Sequence, residues 1–183
     1  MKMLLDTCVI YPTVMREVLL GVSRVAGWQP LWSERILEEW ARAARKIGPT
    51  GEMQARAEIA LLKTAWPKSE ISWVPSLETR LWLPDMNDRH VLAAAIAGSA
   101  DLLITLNARD FPRATLCEEG IDRLDPDALL LKAYNMYPDQ IASVGNGILL
   151  EARRLSGREW EMRDLFKKAR LPRFAKAITT SPS

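Results

Sequence analysis

Residues 84–111 read PDMNDRHVLAAAIAGSADLLITLNARDF, and this stretch decides the fold. Pro84-Asp85-Met86-Asn87-Asp88 is turn chemistry, because proline fixes φ while Asp and Asn side chains bond their own backbone. Val91 to Ala97 follows as an alanine-rich helix whose small side chains permit close approach to a sheet, and Gly98 ends it. Asp101 then introduces Leu102-Leu103-Ile104-Thr105, a continuous apolar run of the kind buried on both faces in parallel sheets. Toward the N-terminus, Met3-Leu4-Leu5 is a second buried run, cut off by Asp6. Between the two runs, Pro12 permits a helix start, and Val14, Val18, Leu19, Val22 and Val25 recur at helical spacing up to Gly27. Ser33 is an N-cap for a second helix with Ile36, Leu37, Trp40, Ala44 and Ile47 on one side, closed by Gly48-Pro49. A third helix spans Glu52 to Trp66, and Ile71 to Val74 is a short strand candidate. Strand, helices, strand, helix, strand predicts an α/β fold with right-handed crossovers.

The remainder of the chain reads as helical. Asp125-Pro126-Asp127 is an N-cap, an N1 proline and an acidic first turn. Pro138 starts a longer helix through Ile141, Val144, Ile148, Leu149 and Ala152, and a last helix runs from Glu159 to Arg170. Thr179 to Ser183 is expected to fray.

The 183 residues, 48% apolar and 26% charged, are enough for one globular domain with a helical appendage and exclude a disordered or fibrous chain. Charge is uneven: residues 1–150 carry a net −3 and residues 151–183 a net +5. Two cysteines, Cys8 and Cys117, cannot make a disulfide scaffold, which points to a reducing cytoplasm. The first apolar run is too short for a secretory signal, and Val91 to Leu106, interrupted by Asp101, is too short for a membrane span. A single histidine, His90, argues against His-based zinc sites and a Ser-His-Asp hydrolase.

The position of the acids carries the chemistry. Asp6 sits immediately after the first strand, Asp110 a few residues after the Ile104 strand, and Asp88 at the start of the helix between. Ligands of open parallel sheets bind beyond the carboxyl ends of strands, where the strand order reverses. The Ser33 helix adds Glu38 or Glu39. At ~100° per residue, Glu39 lies roughly 115° and Glu38 roughly 145° from the centre of the apolar side, so Glu39 is nearer the groove. Carboxylates gathered in one groove repel each other, and a divalent cation offsets that repulsion. An all-oxygen set without His or Cys favours Mg²⁺ or Mn²⁺, whose chemistry on phosphates implies metal-assisted phosphodiester hydrolysis.

Three segments, LLDTCVIYP (4–12), SERILEEWARA (33–43) and DRHVLAAAIAGSADLLITLNARDF (88–111), resemble the PIN-domain nucleases, especially the VapC-like toxin branch. The resemblance covers roughly residues 1–125, and LPRFAKAI (171–178) resembles the helical extension of one subgroup. It implies a PIN-like, Rossmann-like three-layer domain over 1–125 with a helical extension over 126–183. It further implies a metal site of Asp6, Glu39, Asp88 and Asp110, supported by Thr7, Thr105 and Asn107, an RNA substrate, a protein antitoxin and a homodimer. Two other functions remain open: a catalytically silent RNA- or protein-binding module, and a structure-specific DNA nuclease.

Each residue has a plainer reading as well. Asp6 and Asp88 could simply cap helices, Asp85 shape a turn, Asp110 pair with Arg109, and Glu38 pair with Arg42. His90 reads as an orienting or surface histidine and Cys8 as a small buried apolar residue. Trp40 falls on an apolar stripe, whereas Trp28, Trp32, Trp66, Trp73 and Trp82 sit near element ends and are expected to be half exposed. The basic residues from Arg153 to Lys176 form either a solvated face or a surface that guides phosphates.

Overall fold

The computed structural model describes residues 1–180. Its elements run β1 (Lys2–Leu5), α1 (Thr7–Ile10), α2 (Thr13–Ala26), β2 (Gln29–Leu31), α3 (Glu34–Ala43) and α4 (Gly51–Ala65). They continue with α5 (Pro75–Arg80), α6 (Arg89–Ala97), β3 (Leu102–Ile104), α7 (Arg113–Glu118) and β4 (Asp122–Leu124). The chain ends in α8 (Pro126–Met136), α9 (Pro138–Ser156), α10 (Met162–Lys168) and α11 (Pro172–Thr180). It divides into two compact units, Met1–Tyr11 with Gln29–Arg123 and Pro12–Trp28 with Leu124–Ser183.

The first unit has the predicted α/β architecture. Its sheet has the order β2-β1-β3-β4, with β1 pairing in parallel to both β2 and β3. The connection after β1 therefore runs toward β2 and that after β3 toward β4, so the strand order reverses between β1 and β3. Leu5 pairs with Ile104, and the Asp6 N–H donates to the Ile104 carbonyl at 3.1 Å, so Asp6 and Thr105 emerge together at this junction. Met3, Leu4, Leu5, Leu103 and Ile104 are buried, as is α6 continuously from His90 to Ala95. At Gly98 an added Cβ would come 2.8 Å from Leu31 Cδ1, so close approach demands the glycine there, while Ser99 takes the left-handed turn at φ 51°.

Several expectations are corrected here. Ile71 to Val74 is not a strand: one bridge joins Trp32 to Glu70, after which the chain turns into α5. The strands β2 and β4 are additions, and β4 contradicts the all-helical remainder. Ile47 is 72% exposed. The reason is that α3 tightens after Ala43 into a 3-10 turn over Ala44–Ile47, whose three-residue period rotates Ile47 off the buried side. Trp32 is fully buried rather than half exposed, because it follows directly on β2 and its backbone bonds the 69–71 segment.

The second unit is helical. Asp125 caps α8 as predicted, accepting from the Ala128 N–H at 2.9 Å. Gly21 of α2 lies where a Cβ would meet Val144 of α9 at 2.5 Å, so these helices touch almost backbone to side chain. The core closes on Phe174, edge-on to Phe166 (5.1 Å) and Tyr134 (6.3 Å). The predicted last helix is shortened to α10, and a further helix, α11, begins at Pro172. Its N-terminus is satisfied from a distance: the buried Asp127 accepts from the Arg173 and Phe174 N–H groups at 3.0 and 2.8 Å and from Arg173 Nε at 2.9 Å. Thr179 and Thr180 therefore belong to a helix, and the rest of the segment expected to fray, 181–183, lies outside the described residues. Among the described residues, no helix is long and apolar enough to cross a membrane.

Candidate metal centre

The centre is built from the ends of β1 and β3. Asp6 opens α1 but makes no capping bond with its side chain. Its Oδ2 instead accepts from Thr105 Oγ1 at 2.6 Å and from the Cys8 thiol at 3.1 Å. Thr105 Oγ1 in turn accepts from the Asn107 N–H (2.9 Å), and Cys8 Sγ from the Leu106 N–H (3.2 Å). Cys8 is thus a polar member of the network, which corrects its reading as an apolar filler. Burial and the neighbouring Asp6 carboxylate push its thiol up to about 12.

Asp110 is oriented by Asn107, whose Nδ2 donates to Oδ2 at 2.6 Å. The carboxylates of Asp85, Asp88 and Asp110 come together, each offering an oxygen within 4.8 Å of the others. Asp85 also shapes the turn, accepting from the Asn87 N–H at 2.9 Å, so its two readings coexist. Asp88 precedes α6 without capping it. Burial first, then the charges of Asp6, Asp85 and Asp110, raise its carboxyl to about 6. Asp6 is thus close enough to act on the cluster electrostatically.

Glu39 is held separately. Its Oε2 accepts from Thr7 Oγ1 at 2.7 Å, and its Oε1 lies 2.9 Å from His90 Nε2 and 3.6 Å from Arg35 Nε. Burial pushes its carboxyl up, but the bonds from His90 and Thr7 and the charges of His90 and Arg35 outweigh burial and leave it below its ordinary value. Glu38 faces elsewhere: Arg56 at 2.9 Å and Arg42 at 3.0 Å hold its carboxyl down at about 2. His90 is 1% exposed, so it is not a surface histidine. The structure therefore gathers Asp88 and Asp110, adds Asp85, sets Asp6 within electrostatic reach, and hydrogen-bonds Thr7, Thr105 and Asn107 to the acids they were expected to support.

Trp40 is buried in the core, and Trp82 is 65% exposed. In the helical unit, Arg173 pairs with Asp125 and Asp127, and Arg154 with Glu151. Lys168 and Arg158 lie over the Trp160 ring at 4.9 and 6.0 Å, while Arg163, Lys167, Arg170 and Lys176 are exposed.

The donor set suits a hard divalent cation. It consists of carboxylate oxygens, and burial together with the charges of Asp6, Asp85 and Asp110 pushes Asp88 up, a penalty that a cation at this point relieves.

Comparison with known proteins agrees with this architecture. A family model described as a PIN domain matches residues 2–109. The Mycobacterium tuberculosis protein named "Putative ribonuclease VapC50" is 37% identical over 62 residues, a stretch that covers 34% of this chain and 37% of that protein. The chain thus spans little more than a third of the length of the relative it matches. No solved structure matches. Since the family model takes in more than half of its length, including β1, α3, α6 and β3, the chain belongs to the PIN-domain family.

Proposed function

We propose that the chain is a divalent-metal-dependent endoribonuclease, the toxin of a toxin–antitoxin pair acting in the cytoplasm. The observation that carries this reading is the convergence of Asp85, Asp88 and Asp110 within 4.8 Å at the sheet's switch point, with Asp6 near enough to raise Asp88. Asp6, Glu39, Asp88 and Asp110 are the proposed ligands, with Asp85 beside them. Mg²⁺ or Mn²⁺ bound there supplies a Lewis acid for hydrolysis of an RNA phosphodiester. The chain's own part is orientation: Thr105 and Cys8 fix Asp6, Asn107 fixes Asp110, and Thr7 and His90 fix Glu39. Residues 1–125 are the proposed nuclease domain and 126–183 its helical extension. The exposed bases of that extension are suited to attract an RNA backbone that the acids alone repel. A protein antitoxin and a second copy of the chain are the proposed protein partners.

The test is cleavage of RNA and DNA side by side, with Mg²⁺, with Mn²⁺ and with EDTA, for the wild type and for Asp6→Asn and Asp88→Asn. Metal-dependent RNA cleavage lost in both variants is expected. Undiminished cleavage in EDTA, or binding of RNA without turnover, overturns the reading.

A further inference from the structure

We propose that His90 is a positioning residue of the metal centre, holding the Glu39 carboxylate in one orientation through a hydrogen bond from α6 to α3. This rests on the metal-dependent reading above. Glu39 has three rotatable side-chain bonds and is anchored at both oxygens, by His90 Nε2 at 2.9 Å and by Thr7 Oγ1 at 2.7 Å. Each carboxylate oxygen accepts more than one bond, so this double tether fixes the group without exhausting it. Thr7 stands at the edge of the site, and Arg35, 46% exposed, reaches Oε1 only at 3.6 Å. His90 brings to Glu39 a donor that is itself sealed in the core.

The other ring nitrogen defines the role further. His90 Nδ1 is buried with no hydrogen-bond partner among the described residues. Nε2 is thus the nitrogen that meets the carboxylate, and as an N–H it donates there. One nitrogen is committed and the other has no route to solvent. The geometry therefore makes His90 a fixed donor and not a proton carrier for substrate.

The experiment measures Mn²⁺ affinity of the full chain by calorimetry for His90→Asn and His90→Gln, each alone and with Glu39→Ala. A glutamine amide carries its N–H near the place of Nε2, whereas an asparagine amide falls short of it. His90→Asn is expected to weaken Mn²⁺ binding by about 10–100-fold, the usual consequence of losing the group behind a ligand. His90→Gln restores most of that loss, and His90→Asn has no further effect once Glu39 is alanine. Equal loss in both His90 variants, or the same loss in the Glu39→Ala background, assigns His90 a purely structural role and overturns the proposal. Nitrogen NMR of the single imidazole needs no variant: a proton on Nε2 is expected, and a bare Nε2 refutes the proposal. If Asp88→Asn binds Mn²⁺ as tightly as wild type, the metal reading itself falls and this one with it. Loss of binding in Asp88→Asn with wild-type affinity in His90→Asn defeats this inference alone.

Discussion

Asp88→Asn offers a test that needs no substrate. In the folded chain the Asp88 carboxyl sits at about 6 against an ordinary 3.8, raised by burial and then by Asp6, Asp85 and Asp110. The folded state therefore holds this proton more tightly than the unfolded chain. Its contribution to stability is full at low pH and is lost as pH rises through about 6. Taken at face value, a shift of two units corresponds to about 3 kcal/mol, at ~1.4 kcal/mol per unit. The group is only half-buried, so solvent screening leaves about 1 kcal/mol of destabilisation at neutral pH without metal. Asparagine keeps the shape, removes the charge and sacrifices no capping bond, because the Asp88 side chain makes none to α6. In EDTA at about pH 8 the variant is expected to melt about 2–4 °C above wild type, the shift that ~1 kcal/mol gives a chain of this size. The gap should narrow as pH falls through about 6 and close only below the ordinary value of 3.8. With Mn²⁺ at about 100 times its dissociation constant the order reverses, since wild type alone gains ~2.7 kcal/mol of linkage stabilisation. Scanning calorimetry reads all three conditions. A variant that melts below wild type in EDTA at the higher pH would falsify the account of mutual repulsion.

Glu38→Gln is expected to leave RNA cleavage unchanged, because Glu38 is engaged with Arg42 and Arg56, whereas Glu39→Gln should lower it by at least tenfold; initial rates on one RNA decide between them. Cys8, at about 12, should resist iodoacetamide at about pH 8 while the exposed Cys117 is alkylated, and peptide mass spectrometry reads both sites. Equal labelling of the folded protein is the contrary result. Asp127→Ala should destabilise the helical unit by about 2 kcal/mol, since it strips the cap of α11 and leaves the buried Phe174 N–H unsatisfied. Urea unfolding measures this, and a change below ~1 kcal/mol denies Asp127 that role.

What the sequence declares is what local rules control. The runs 3–5 and 102–104 and the Ser33 cap announce themselves through apolar continuity and side-chain chemistry, and the acids after them inherit their place from topology. The elements that escape notice depend on distant partners. β2 is three residues long and contains Pro30, so it has no period to detect and exists because β1 offers it a parallel neighbour. α11 lies beyond a proline that looks like a stop, and its cap is a residue of α8. Within the site, the acids were legible by position. The part of Cys8 was not, because it is defined by bonds to residues after β3, His90 was open between an orienting and a surface role until its contact with Glu39 was seen, and Asp85 hid behind its plausible turn role.

The reversal of strand order between β1 and β3 has an evolutionary corollary. A crevice made by backbone connectivity exists whatever side chains border it, and the Asp88 carboxylate on its rim strains the fold more than it cements it. Drift toward a neutral residue at that position meets no resistance from stability, so selection for chemistry alone has to keep the charge in place. In lineages where that selection lapses, the same scaffold persists as an inert receptacle, outwardly intact after its reactivity has gone.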